Sequence, residues 1–266
     1  MIAFFYKMMQ DCTDFGFRYL KPEEISSINR NKMKSLKSCI IMAIAAISIA
    51  GIQSCNKNDN NNYDIYFPNA LVTVKPVSDT DFYLQLDDKT ALLPVGTSKL
   101  PFGKKEVRAL VNFTQTDMPE DADKDKYAGA VKINWIDSLL TKQPKPDMGE
   151  DNDKTYGNDP VEIMRSWMTV VEDGYITLYF STVWGNSNIR HELNLLTGGN
   201  PENPYEVEFR HNAHGDTCGT TGNGLVAFSL NSLPDTEGET VKLTLKWNSF
   251  SGPKSVEFDY CTRKDE

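Results

Sequence analysis

From Tyr63 onward the apolar residues fall in short runs cut by Gly, Asn, Asp and Pro, and no stretch keeps the 3.6-residue period of an amphipathic helix. The first group of runs predicts strands at residues 70–77, 82–86, 92–95, 105–114 and 130–136. Alternation is clearest in the fourth, where Val107, Ala109, Val111 and Phe113 share one face and Arg108, Leu110 and Asn112 the other. Five short strands in so little chain predict a small OB-like barrel over residues 63–145. Residues 117–126 (DMPEDADKDK) read as an acidic loop and residues 138–140 as a short turn leading out of the barrel. Residues 142–158 (KQPKPDMGEDNDKTYGN) hold no apolar run and mark the domain boundary, with a linker assigned at 146–160. Residues 161–167 open the second domain as a strand or brief helix. Strands follow at 168–171, 175–183, 189–195, 205–210, 224–230, 241–247 and 255–260. Val241, Leu243, Leu245 and Trp247 alternate onto one face, and Glu172-Asp173-Gly174 is a hairpin-turn signal. Residues 161–266 are therefore expected to form an antiparallel β-sandwich, and the fold class is all-β.

Before Tyr63 the pattern changes. Residues 33–54 begin with a methionine, carry Lys34 and Lys37, and continue into an uncharged apolar run from Ile40 to Ile52. A small residue, Ser54, then precedes Cys55, as in a lipobox. The run is short for a membrane span and has the charge asymmetry of an export signal. It is expected to be a lipoprotein signal peptide, cleaved so that Cys55 becomes the first mature residue and carries lipid. Two or three acyl chains, at about 0.8 kcal/mol per buried CH₂, hold a protein on a membrane essentially permanently. Residues 1–32 have no role upstream of such a signal and are expected to be a spurious upstream extension. Residues 55–62 (CNKNDNNN) lack apolar side chains to bury and form a flexible tether. The expected location is the outer membrane, facing the periplasm or the cell surface.

This processing alters the charge and cysteine counts. The whole chain has a formal charge of −9; seven basic and four acidic residues precede Cys55, which leaves 21 basic against 33 acidic residues, a net of −12. Such a balance argues against nucleic acid, whose binding rests on neutralised phosphates. Of the five cysteines, Cys12 and Cys39 leave with the leader and Cys55 takes lipid. Cys218 and Cys261 remain as a candidate disulfide, the usual use of a cysteine pair in an exported chain. Closing a loop of about 44 residues would contribute about 3–4 kcal/mol in the chain-entropy account. The alternative is two free thiols.

One segment is dense in chemically capable side chains: HNAHGDTC, with His211, His214, Asp216 and Cys218 as possible metal ligands. Its other reading is a turn-rich loop after a strand, with Asn212, Gly215 and Asp216 making the turns and Cys218 engaged by Cys261. The loop reading is preferred, and no metal or cofactor is expected. No G-x-S-x-G elbow is present, and the acidic stretches lack the order of a calcium loop. Among the four tryptophans, Trp184 stands out: it ends a predicted strand beside Gly185-Asn186-Ser187-Asn188, where an exposed ring would suit sugar stacking.

The lipobox and Asn-rich tether, the segments ALVTVKP and FYLQLDD, and the segment VEFRHNAHGD together resemble the NigD-like proteins of Bacteroidetes. The resemblance implies an N-terminal OB-type barrel followed by a C-terminal β-sandwich. The family name comes from a bacteriocin gene cluster, which implies an immunity role; it brings no active-site residues to carry over. The expected function is a non-enzymatic, lipid-anchored envelope protein that binds a protein or peptide, as an immunity factor would. The alternative is a glycan-binding surface lipoprotein that uses Trp184.

Overall fold

The computed structural model describes residues 66–97 and 99–264. The expected upstream extension, signal peptide, tether and lipidated Cys55 lie outside the described residues.

The first five strands are β1 (Ala70–Pro76), β2 (Phe82–Gln85), β3 (Ala91–Pro94), β4 (Val107–Thr116) and β5 (Gly129–Ser138). They pair in the order β1-β2-β3-β5-β4, and β4 returns to β1 to close a barrel. Closure leaves no unpaired edge, so every strand finds two partners. Val72, Val74, Leu84, Ala109, Val111 and Val131 fill the interior. Alternation along β4 delivers Val107, Ala109 and Val111 inward as expected. A register shift between Asn112 and Phe113 marks a bulge where the strand bends around the barrel.

The opposite face of β4 is also buried. Arg108 is fully buried, and Leu110 and Asn112 nearly so. The second domain covers Arg108, while Asn112 donates to the Phe67 carbonyl and accepts from Asn134. Arg108 donates to Thr73 Oγ1 (3.0 Å) and Thr177 Oγ1 (3.4 Å), and its guanidinium pairs with Glu172. Lys75 reaches Asp173 at 2.7 Å, Tyr175 donates its hydroxyl proton to Glu106 at 2.7 Å, and Arg263 pairs with the same Glu106 at 2.6 Å. Burial raises the Glu172 carboxyl above its ordinary range, against the pull of Arg108. Burial, helped by Glu106, likewise raises the Tyr175 hydroxyl.

The chain passes directly from barrel to sandwich: β5 ends at Ser138 and β6 (Leu140–Lys142) already belongs to the second domain. The stretch expected as a linker is folded. It holds β7 (Lys145–Pro146), a 3₁₀ turn (Gly149–Asp151) and helix α1 (Asn152–Tyr156). Local hydrogen bonds replace the missing apolar run. Asn152 binds Asp147 at 2.9 Å, and the Tyr156 hydroxyl donates to the Pro146 carbonyl at 3.0 Å. Gly157 follows at φ +75°, where a Cβ would stand 2.5 Å from Asn212.

The remaining strands are β8 (Glu162–Ile163), β9 (Val170–Glu172), β10 (Tyr175–Trp184), β11 (Glu192–Thr197), β12 (Glu206–Asn212), β13 (Thr220–Ser229), β14 (Val241–Ser249) and β15 (Gly252–Tyr260). One sheet runs β6-β13-β10-β8, with β9 also on β10; the other runs β15-β14-β12-β11-β7. Most pairings are antiparallel, while β6–β13, β7–β11 and β12–β14 are parallel. Period-two alternation sends Ile176, Leu178, Phe180, Val226 and Phe228 from one sheet against Leu195, Phe209, Leu243 and Leu245 from the other. Each such side chain, fully buried, contributes about 1.5–3 kcal/mol. No helix among the described residues is long and apolar enough to cross a membrane.

Candidate functional sites

The alternation that builds the sandwich core continues into polar residues at one end of it. Trp184 follows Phe180 and Thr182 on the inward side of β10, His191 precedes Leu193 just before β11, and His211 follows Val207 and Phe209 on β12. The imidazole of His191 stacks on Trp184, with ring centroids 4.2 Å apart and planes at 23°. His191 Nδ1 lies 2.8 Å from His211 Nε2, and His191 Nε2 lies 3.2 Å from Asp216 Oδ2. Oδ2 also accepts the backbone N–H groups of Gly185 and Asn186, each at 3.0 Å. The cluster thus ties the β10–β11 loop to the β12–β13 loop.

Its electrostatics follow from burial and from these bonds. The amides of Asn186 and Gly185 stabilise the ionised carboxyl of Asp216 and hold it below its ordinary value. Burial lowers His211 from its ordinary value, and the neighbouring His191 lowers it further; Asp159 and the backbone of Asp159 and Pro160 oppose this. His211 Nδ1 is buried without a hydrogen-bond partner.

Two of the sequence candidates, His211 and Asp216, are brought together, but through His191 rather than by sharing an ion. Two nitrogens on one tetrahedral zinc stand about 3.3 Å apart, whereas these sit 2.8 Å apart at hydrogen-bond distance. His214, at φ +50° in the loop, points elsewhere and stands 3.9 Å from Glu192. His191 escaped sequence reasoning because it lies 20 residues from His211. The available signal was its parity with Leu193 and Leu195, which places it on the core side.

The expected disulfide is not formed: Cys218 is a free, exposed thiol and Cys261 a free, half-buried one. Cys218 lies in the β12–β13 loop against Gly185, at the Trp184 end of β10. Cys261 sits beside Thr236 (3.6 Å) and follows Tyr260, whose hydroxyl meets Leu230 at the Tyr175 end. The length of β10 between those ends is about 30 Å, whereas a disulfide needs Cα atoms within about 7 Å. Trp184 also departs from expectation. It is half-buried, packed against the core and covered on one face by His191, so it presents no open ring to a sugar. Gly222 lies directly beneath it, where a Cβ would meet the indole at 2.5 Å.

A different site lies on the barrel. The β1–β2 connection (Val77, Thr80, Asp81) and Phe82, the β3 residues Leu93 and Pro94, then Thr97 and Tyr127 enclose a groove of about 210 Å³. Val77 is 59% exposed at its rim. Tyr127, from the β4–β5 loop, is held edge-on to Tyr83 at 6.1 Å, and the Lys126 ammonium lies 4.7 Å from the Tyr83 ring centre. Asp81 supplies the one carboxylate of the lining. A larger, open groove of about 410 Å³ on the outer face of the second sheet is lined mainly by polar side chains. Its Lys246 and Lys254 are already paired with Glu206 and Glu162.

A barrel of strand order β1-β2-β3-β5-β4 followed by a two-sheet sandwich can now be set against known proteins. Residues 71–139 match the NigD-like N-terminal OB domain, and residues 143–260 match the NigD-like C-terminal beta sandwich domain. The chain belongs to the NigD-like family. It is 39% identical to a toxin-related protein from Parabacteroides distasonis, covering 73% of this chain and 92% of that one with a TM-score of 0.61. It shares its fold with a protein of unknown function from Bacteroides vulgatus (23% identity, 72% and 89% coverage, TM-score 0.55). The same holds for a NigD-like immunity protein from Bacteroides caccae (20% identity, 72% and 96% coverage, TM-score 0.50). Comparison with curated proteins finds no match. The family boundary between residues 139 and 143 agrees with the strand change at Leu140.

Proposed function

We propose that this NigD-like chain is a lipid-anchored envelope protein that binds a protein or peptide partner without catalysing a reaction, in the manner of an immunity factor. The observation that carries the reading is the barrel groove. OB barrels bind chain-like ligands across strands 2 and 3, between the β1–β2 and β4–β5 loops. In this chain the groove is lined from those same elements by Phe82, Leu93, Pro94, Asp81 and Tyr127. The His191–His211–Asp216 cluster, by contrast, has the side chains of His191 and Asp216 buried and the His191 ring stacked on Trp184. The toxin-related description of the 39% identical relative supports an immunity role, and the lipobox before Cys55 supports the envelope location. The glycan alternative rested on an open Trp184 ring, and the stacking on His191 removes that support.

The test is genetic. Deleting the gene should sensitise the bacterium to a toxin made by itself or a neighbour, and the wild-type gene should restore protection. Leu93→Glu, which places a charge in the groove while the barrel interior remains apolar, should restore it at least ten-fold less well at equal protein level. Unchanged killing across a panel of sibling and neighbour strains would count against the immunity reading.

A further inference from the structure

The His191–His211 pair cannot satisfy all its ring nitrogens when neutral. With both rings neutral, His191 Nε2–H donates to Asp216, and His191 Nδ1 must then accept from His211 Nε2–H. That leaves His211 Nδ1 a bare acceptor, buried and without a donor, in a residue only 2% exposed. Adding one proton redistributes these bonds. His191 then carries hydrogen on both nitrogens and donates to Asp216 and to His211 Nε2. His211 remains neutral but holds its hydrogen on Nδ1, beside the backbone of Asp159 and Pro160. The structure forms no hydrogen bond at Nδ1, but the backbone of Asp159 and Pro160 favours a proton on this ring. A second proton has no place, because two N–H groups would then face each other across 2.8 Å.

We propose that this pair is a one-proton switch: a single proton taken up at His211 Nδ1 shifts the bridging hydrogen onto His191 and fastens the β10–β11 loop to the β12–β13 loop through an Asp216–His191 ion pair. The proton balance closes, since one proton enters at Nδ1 and one charge emerges on His191. Every charged neighbour fits this placement. Asp216 faces His191 from the β12–β13 loop, and Trp184 from β10 offers its ring face to the charge. From the segment before β8, Asp159 acts on His211 while its carboxylate accepts the Ala213 N–H at 2.7 Å. Glu192 of β11 is turned toward His214, and Arg210 of β12 toward Asp153 and Glu208 on the outer face. This switch is independent of the groove proposed above.

The chain has three histidines, so the rings can be followed individually in the intact protein labelled with ¹⁵N-histidine, with exposed His214 as an internal reference. From about pH 8 to about pH 5, His191 should become doubly protonated while His211 moves its hydrogen from Nε2 to Nδ1 and stays neutral, both at one midpoint. Trp184 emission should fall by about half at the same midpoint, because a stacked imidazolium quenches the indole, and the change should vanish in Trp184→Phe. Three outcomes would overturn the proposal: His211 keeping its hydrogen on Nε2 throughout, both rings charging at separate midpoints while the protein stays folded, or neither ring titrating.

Discussion

At the residue scale, the inward polar positions carry the pH dependence of stability. His211 is held below its ordinary value of 6.5 by burial and by His191. The unfolded chain therefore binds more protons than the folded one in the window below 6.5, and stability rises with pH across that window. The contribution is present in full above 6.5 and is lost as pH falls toward the depressed folded value. Asp216 adds a loss further down: held below its ordinary 3.8, it stabilises above that pH and ceases to do so as pH falls through its folded value. The urea midpoint should drop between about pH 7 and about pH 5, and drop less in His211→Gln, which removes the ring held below its ordinary value. A wild-type midpoint that does not move in this range would contradict the assignment. His211 and Asp216 were legible in the sequence as chemically capable residues; their shared partner His191 was not, because strand parity rather than local spacing brings it there.

At the element scale, alternation along β4 correctly assigns its barrel-facing residues, yet says nothing of what covers the other face. Arg108 lies on that face. In the fold it bridges Thr73 on β1 to Thr177 on β10 and pairs with Glu172 on β9. The β9–β10 turn shows the same limit. Asp173 and Gly174 both have positive φ, as a tight hairpin turn requires, so its local conformation follows from its residues. Asp173 is nonetheless only 1% exposed, because Lys75 and the Asp88 carboxylate receive the turn from the barrel. Removing one member of a buried pair leaves the other uncompensated. Arg108→Ala should destabilise the protein by about 3–5 kcal/mol in urea unfolding. The double change Arg108→Met with Glu172→Gln should recover most of that loss. A cost for Arg108→Ala under about 1 kcal/mol, the worth of an exposed pair, would show that the barrel–sandwich contact does not depend on it.

At the scale of the whole molecule, attachment and fold are separate matters. The expected lipid site precedes the described residues, which contain all of β1 to β15. Cys55→Ala should move the protein from the membrane fraction to the soluble fraction while leaving its thermal midpoint unchanged. Retention on membranes in that variant would refute lipid anchoring at Cys55. The order of the two domains and most strands could be read from the chain because each strand carries its own period-two signal. The boundary was misplaced for an equally physical reason. Residues 142–158 lack an apolar run, yet they fold through Asn152, Tyr156 and short strand pairing onto β11, interactions that leave no periodic trace.

What the sequence by itself determined is therefore the local and the periodic: strand faces, turn sites, the all-β class and the resemblance to a family. These depend on neighbours within a few residues. Only the tertiary structure decided which polar residues are buried together, which cysteines stand too far apart to join, and whether a tryptophan ring is open or covered. Those outcomes depend on elements distant in the chain. His191, His211 and Asp216 meet because two sheets face each other, and Cys218 and Cys261 do not because the length of β10 lies between them. Strand alternation gives each residue a face; only the packing of the sheets and the barrel determines what that face meets.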